Sequence, residues 1–347
     1  MSNLRARIAP ALIVTLLLYV ACSTADPEAI SSATPESTVS ASTTPTASNQ
    51  RERGQWLSLA PLTAGPRQET AVAALNGEVW VLGGFDARGV VVRTVEIYNP
   101  ASDSWRRGPD LPLALHHANV AVADGRLYVV GFLVGRFVAS GRTFVHDPAN
   151  GGWRELASMP DGTARGGASV AVLGGEILVA GGFRDGAVAD FSAYDPATDS
   201  WRELPPLPRA ADHVVAGAIG GLLYVAGGRS GGIDGHSASL FVFDPNEMTW
   251  ASLASLPTSR GGAASAVVSE RLYVFGGEGN GAHPSGVFGQ AESYDPTSDQ
   301  WTSLPSMPER RHGTGAAVVD GVIYIPGGAT EQGFGAVDTH SAFAPLS

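Results

Sequence analysis

The stretch RGGASVAVLGGEILVAGGFRDGAVADFSAYDPATDSW, residues 165–201, decides the fold, because five other segments repeat its plan with the same landmarks in the same order. Residues 168–173 are an apolar run, Gly174-Gly175 is a two-residue turn, and 176–180 is a second run ending at Gly181-Gly182. Two such runs joined by a glycine pair read as an antiparallel hairpin. A polar loop follows, then a third strand at 191–194, the turn Asp195-Pro196-Ala197-Thr198-Asp199, and a fourth strand from Trp201. Asp and Pro suit that turn because the carboxylate accepts from N–H groups two residues on and the ring presets φ. The stretch is one small antiparallel sheet.

The landmarks recur at a fixed interval. Tryptophans stand at 56, 105, 153, 201, 250 and 301, separated by 48 to 51 residues. Glycine doublets occur at 83, 181, 227, 276 and 327, with Gly131-Phe132 as a worn copy. The aromatic-Asx-Pro turn appears as Tyr98-Asn99-Pro100, His146-Asp147-Pro148, Tyr194-Asp195-Pro196, Phe243-Asp244-Pro245 and Tyr294-Asp295-Pro296, and faintly as Phe343-Ala344-Pro345. A period of this length means stacked copies of one supersecondary unit.

A strand ending in Gly-Gly, then Tyr-Asp-Pro, then Trp about six residues later resembles the Kelch repeat. The resemblance covers about residues 55–345 and implies an all-β, six-bladed β-propeller with four antiparallel strands per blade. A ring of sheets avoids open edges only if its last blade joins its first. Residues 56–59 form a fourth strand without its first three, and the last repeat has no tryptophan after it. The N-terminal strand is therefore expected to complete the sixth blade, giving a propeller over 54–347.

Composition narrows the chemistry. All 22 basic residues are arginine, so lysine Schiff-base or general-base mechanisms are excluded, and Cys22 is the single cysteine. Disulfides and thiolate zinc sites are therefore absent from the repeats. Arg5 and Arg7, an apolar core at 8–20, and Tyr19-Val20-Ala21-Cys22 resemble a bacterial signal peptide with a lipobox, although Tyr19 departs from the usual leucine. The resemblance implies lipidation at Cys22; ordinary secretion with cleavage after Ala25 is the alternative. Residues 23–53 are rich in Ser, Thr, Ala and Pro and read as a disordered tether. Loss of residues 1–21 removes two arginines, leaving 33 acids against 20 arginines and a net charge of −13. Nucleic acid is excluded as a partner, and a membrane is expected only through a lipid anchor at Cys22.

Strand direction alternates, so loops sort onto two faces. One face carries short turns with thirteen acids, among them Asp103, Asp199 and Asp299, expected to be solvated turn residues. The other carries longer, variable second-to-third loops, where a ligand would bind. At the entry to the first strand four repeats place Arg67, Arg165, Arg260 and Arg311 in register. The second and fourth blades offer His116-His117 and Asp212-His213 there, and His312 follows Arg311. Guanidinium groups at a channel mouth would grip a carboxylate; a residue recurring at one slot would equally belong to the scaffold, bonding loop carbonyls. No metal site and no cofactor are expected, because blades on opposite sides of a channel should hold His116, His117, His213 and His312 apart.

Two functions remain. The first is an envelope-tethered module binding an extracytoplasmic protein or acidic glycan through Arg67, Arg165, Arg260, Arg311, His116 and His312. The second, by resemblance to Kelch-type N-acetylneuraminate epimerases, is a sugar epimerase in which Glu69, His117 or His213 moves protons. Two other enzyme chemistries are disfavoured. A galactose-oxidase cofactor needs a cysteine in the propeller, and a sialidase needs a tyrosine outside the repeat slots.

Overall fold

The computed structural model describes residues 54–148 and 151–346; Cys22 and the 23–53 tether lie outside them. The described residues contain six four-stranded antiparallel sheets and two short two-stranded ribbons. In the repeat quoted above, Ser169–Leu173, Glu176–Ala180, Phe191–Asp195 and Ser200–Leu204 pair in sequence order. Four other blades follow the same order, and the innermost strands touch successively around the ring.

The ring closes through the N-terminal strand. Gln55–Leu59 pairs with His340–Ala344, with Trp56 opposite Phe343, so the sixth blade takes its outer strand from the start of the chain. The core lies between blades. Val79 and Tyr98 of blade 1 pack with Ala317, Tyr324 and Ala342 of blade 6, and Tyr128 and Val145 of blade 2 with Ile177 and Tyr194 of blade 3. No sheet could cover both its faces alone, which is the reason the ring must close.

Each landmark has a physical role. All six repeat tryptophans donate their indole N–H to a carbonyl just beyond the outer strand of the preceding blade, at 2.8–3.2 Å, and Trp56 reaches back to Pro305. The tyrosine hydroxyls of Tyr98, Tyr194 and Tyr294 donate to Asp103, Asp199 and Asp299, which accept in turn from the backbone N–H groups of Ala60, Ala157 and Ala254. Those three acids are therefore inter-blade caps, and the expectation that they serve only as solvated turn residues is corrected. In the glycine doublets the first residue has φ near +60° and abuts a carbonyl of the next blade, while the second donates its N–H to that carbonyl. In blade 2 Phe132 replaces the second glycine, and the Nδ2 of Asn119 bonds the Arg165 carbonyl instead, at 3.0 Å.

Candidate functional site

Where the innermost strands begin, six residues, one per blade, form a closed circle of backbone hydrogen bonds. The N–H of Glu69 donates to the carbonyl of Gly313, Gly313 to Gly262, Gly262 to His213, His213 to Gly167, Gly167 to His117, and His117 back to Glu69, at 2.5–3.1 Å. All six are left-handed, with φ between 50° and 64°. Glycine adopts that conformation freely, whereas any other residue is strained there by about 1–2 kcal/mol. Three positions are glycine; Glu69, His117 and His213 are not. Strained non-glycine residues of this kind gather where the side chain has a task.

Those three side chains converge on the axis. His117 Nε2 lies 3.0 Å from His213 Nε2 and 3.1 Å from Glu69 Oε2, and the three groups offer ligand atoms all within 4.8 Å of one another. Room for the carboxylate comes from Gly313, where a Cβ would stand 2.6 Å from Glu69 Oε1.

Supporting groups fix the rings. His213 Nδ1 is 2.5 Å from Asp212 Oδ1, which places its proton on Nδ1 and leaves the Nε2 lone pair free to accept. Arg229 Nη2 donates to that Nε2 at 3.1 Å, and its other nitrogens bridge Asp212 and Glu278. His117 Nδ1 lies 2.6 Å from His116 Nδ1. His117 titrates well below its ordinary value, first through burial and then through the neighbouring charges of His213, His116 and Arg229. His116 is pulled down to about 4, again mainly by burial. With both imidazoles neutral, Glu69, Asp212 and Glu278 outweigh Arg229, and the mouth carries excess negative charge.

The structure separates the residues nominated from sequence into two groups. Glu69, His117 and His213 meet. Arg67, Arg165, Arg260 and Arg311 do not face the mouth: each is 1% exposed or less. Arg165 bonds the carbonyls of Thr163, Val179 and Gly181 and the hydroxyl of Ser192. Arg311 bonds Ile325, Gly327, Thr339 and Ser341. Arg67 and Arg260 pair with the buried Glu96 and Glu292. Burial lowers all four guanidinium pKa values, yet they hold strands of their own blades and cannot grip a ligand. His116 and His312 are equally buried and sit behind the site rather than at its surface; His312 Nε2 is 2.8 Å from the Glu331 carbonyl. The expectation that opposite blades keep the histidines apart is also corrected. Left-handed backbone draws the six first-strand starts into direct contact, so side chains from blades 1, 2 and 4 reach one point.

Aromatic residues roof one side of the cluster. Phe85 packs on His116 with centroids 4.3 Å apart, and Phe137 on His117 at 5.4 Å. Phe183 and Phe334 extend the group from neighbouring loops. Below the ring the channel encloses about 260 Å³, lined by the first-strand residues of the blades.

Comparison with known proteins agrees with this architecture. The KLHDC2/KLHL20/DRC7 Kelch-repeats domain matches residues 184–342, and the Kelch motif matches residues 66–112. Kelch-like protein terF of Aspergillus terreus is 34% identical over 313 residues, covering 84% of this chain and 68% of that protein. The chain belongs to the Kelch-repeat family. Shorter likenesses reach the Kelch repeat and BTB domain-containing protein 12 of Danio rerio, 44% identical over 71 residues, and the Kelch-like protein 36 of Mus musculus, 37% over 62 residues. These cover 18% of this chain each and 11% and 10% of the relatives.

Within this Kelch propeller the axial ring has a sequence signal of its own. Aligned by their third column, the six entries read Arg-Gln-Glu, Leu-His-His, Arg-Gly-Gly, Ala-Asp-His, Arg-Gly-Gly and Arg-His-Gly. Glycine in three of six third positions marks left-handed backbone, and the other three are the converging side chains.

Proposed function

We propose that this Kelch propeller is a binding module that holds a protein partner on its loop face. One observation carries the reading. Among the described residues, five of the seven exposed large apolar side chains, Val90, Phe137, Val138, Ile233 and Phe334, lie in or beside second-to-third loops, on one face. Phe137 and Phe334 are each 45% exposed. An apolar patch confined to one rim of a rigid ring is the usual signature of an interaction surface, and exposed aromatics are its common anchors. Ion pairs such as Arg88 with Asp86 and Arg184 with Asp190 border the patch, as a polar rim does around an interface core. The sugar-epimerase alternative loses the four arginines that were to hold its carboxylate, and a glycan ligand loses the same residues.

Selection of a phage-displayed peptide library tests the reading. The wild-type chain and a Met248→Ser control on the opposite face should enrich the same peptides, and a Phe137→Ser/Phe334→Ser double variant should lose them. Equal enrichment by the double variant would place binding elsewhere. We further propose that a lipidated Cys22 and the 23–53 segment tether the module to a cell envelope. Mass spectrometry of the mature chain should then find an acylated cysteine as its first residue, and an N-terminus without lipid would remove the tether.

A further inference from the structure

The axial cluster is unlike a scaffold contact. Three electron-pair donors from three blades point at one place, on backbone positions where glycine is the unstrained choice. In the ion-free protein a single proton on His117 Nε2 serves two acceptors, His213 Nε2 at 3.0 Å and Glu69 Oε2 at 3.1 Å. Two nitrogens bound at about 2.1 Å to one ion stand roughly 3.0–3.4 Å apart for angles between square and tetrahedral. Two of the three separations already fall in that range, and the third pair, Glu69 with His213, lies within 4.8 Å.

We propose that Glu69, His117 and His213 form a site for one divalent first-row transition-metal ion on the propeller axis. Two imidazoles and one carboxylate suit zinc, iron or cobalt and leave further coordination positions open. The second shell is in place. Asp212 accepts from His213 Nδ1, the carboxylate–histidine arrangement that orients a ligand and raises its basicity. His116 does the corresponding work at His117 Nδ1. On binding, the ion displaces the His117 Nε2 proton, and the proton that His116 Nδ1 holds in their 2.6 Å contact passes to His117 Nδ1. His116 takes the displaced proton back at Nε2 through water, so both rings stay neutral and His117 Nδ1–H now donates to His116. Arg229 gives up His213 while keeping Asp212 and Glu278. The ion compensates a mouth in which three carboxylates face one guanidinium. The site lies within the ring and does not depend on what the loop face binds.

The ring supplies its own controls. Glycine already occupies the equivalent positions in blades 3, 5 and 6, so Glu69→Gly, His117→Gly and His213→Gly keep the backbone that the fold uses there. The full chain, made without a polyhistidine tag and stripped by chelator, is titrated with Co2+ and then Zn2+. Binding is followed by visible absorption and by elemental analysis of the metal-to-protein ratio. One equivalent should bind, with Zn2+ displacing Co2+ and raising the unfolding midpoint. Each glycine variant should remain folded by circular dichroism and lose more than 100-fold in affinity. Asp212→Asn should lose about 10–100-fold, the usual effect of removing a supporting carboxylate. No stoichiometric binding by the wild-type chain would overturn the proposal. So would binding of one equivalent by folded glycine variants with unchanged affinity.

Discussion

The buried arginines make a sharp test of how this ring is held together. Arg260 and Glu292 are almost entirely enclosed, with Nη1 to Oε2 at 2.6 Å and Thr258 Oγ1 donating to Oε1 at 2.8 Å. Replacing Glu292 by Gln leaves a guanidinium buried without its counter-charge. A unit pair about 4 Å apart at an effective dielectric of about 20 interacts by about 4 kcal/mol, and removal of one partner of such a pair costs about 3–5 kcal/mol. For a domain of this size that corresponds to roughly 2 °C per kcal/mol, or about 6–10 °C in melting temperature. The pair itself is weak evidence of a net gain, because taking both charges out of water offsets their mutual attraction, and burial is the largest influence on Arg260, lowering its pKa. Blade 2 shows the apolar solution. It has Leu115 in the arginine slot and Phe144 in the glutamate slot, and both belong to one core cluster. Arg260→Leu combined with Glu292→Phe should therefore recover at least half of what Glu292→Gln loses. Urea unfolding followed by tryptophan fluorescence measures both variants. A single variant within about 1 kcal/mol of wild type, or a double variant as unstable as the single, would refute the reasoning.

Two further outcomes are expected. Burial, opposed by a bond from Nδ1 to the Ala60 carbonyl, brings His340 from an ordinary 6.5 down to about 4. The unfolded chain therefore binds the proton first, and the contribution of neutral His340 is full above pH 6.5 and vanishes towards pH 4, a loss of about 3 kcal/mol. His340→Phe should flatten the acid limb of the stability curve by about that amount, and identical pH profiles for the two proteins would discount it. Gly276→Ala should cost at least about 2 kcal/mol in denaturant unfolding, since φ is +63° and a Cβ there would overlap the Arg311 carbonyl of the next blade; a neutral substitution would mean that the blades tolerate separation.

How much of this was legible depends on whether a feature is periodic. Trp201, Gly181-Gly182 and Tyr194-Asp195-Pro196 recur because every blade needs the same inter-blade bonds, so six blades and the closing strand could be read directly. The arginines were ambiguous because a guanidinium that braces strands and one that grips a ligand recur alike at one slot. Their third-strand partners resolve them: Glu96, Ser192, Glu292 and Ser341 accompany arginine, while Phe144 and Phe241 stand in the two blades that lack it. Convergence of Glu69, His117 and His213 could not be read, because it depends on the radius of the channel. That radius is set by the left-handed turn of residues whose side chains differ from blade to blade, so no shared letter announces it.

The closing strand also imposes an order on synthesis. A ribosome makes residues 55–59 first and their partner 340–344 last, 281 residues later when counted from 59 to 340. At about 5–20 residues per second that is roughly 15–55 s. Throughout that time Trp56 and its neighbours have no sheet to join, and the half-built arc presents one raw flank to the cell. Moving residues 55–59 to the far end of the gene would let each sheet be finished as it emerges, so a rearranged chain should reach its native state with less help from chaperones than the natural one.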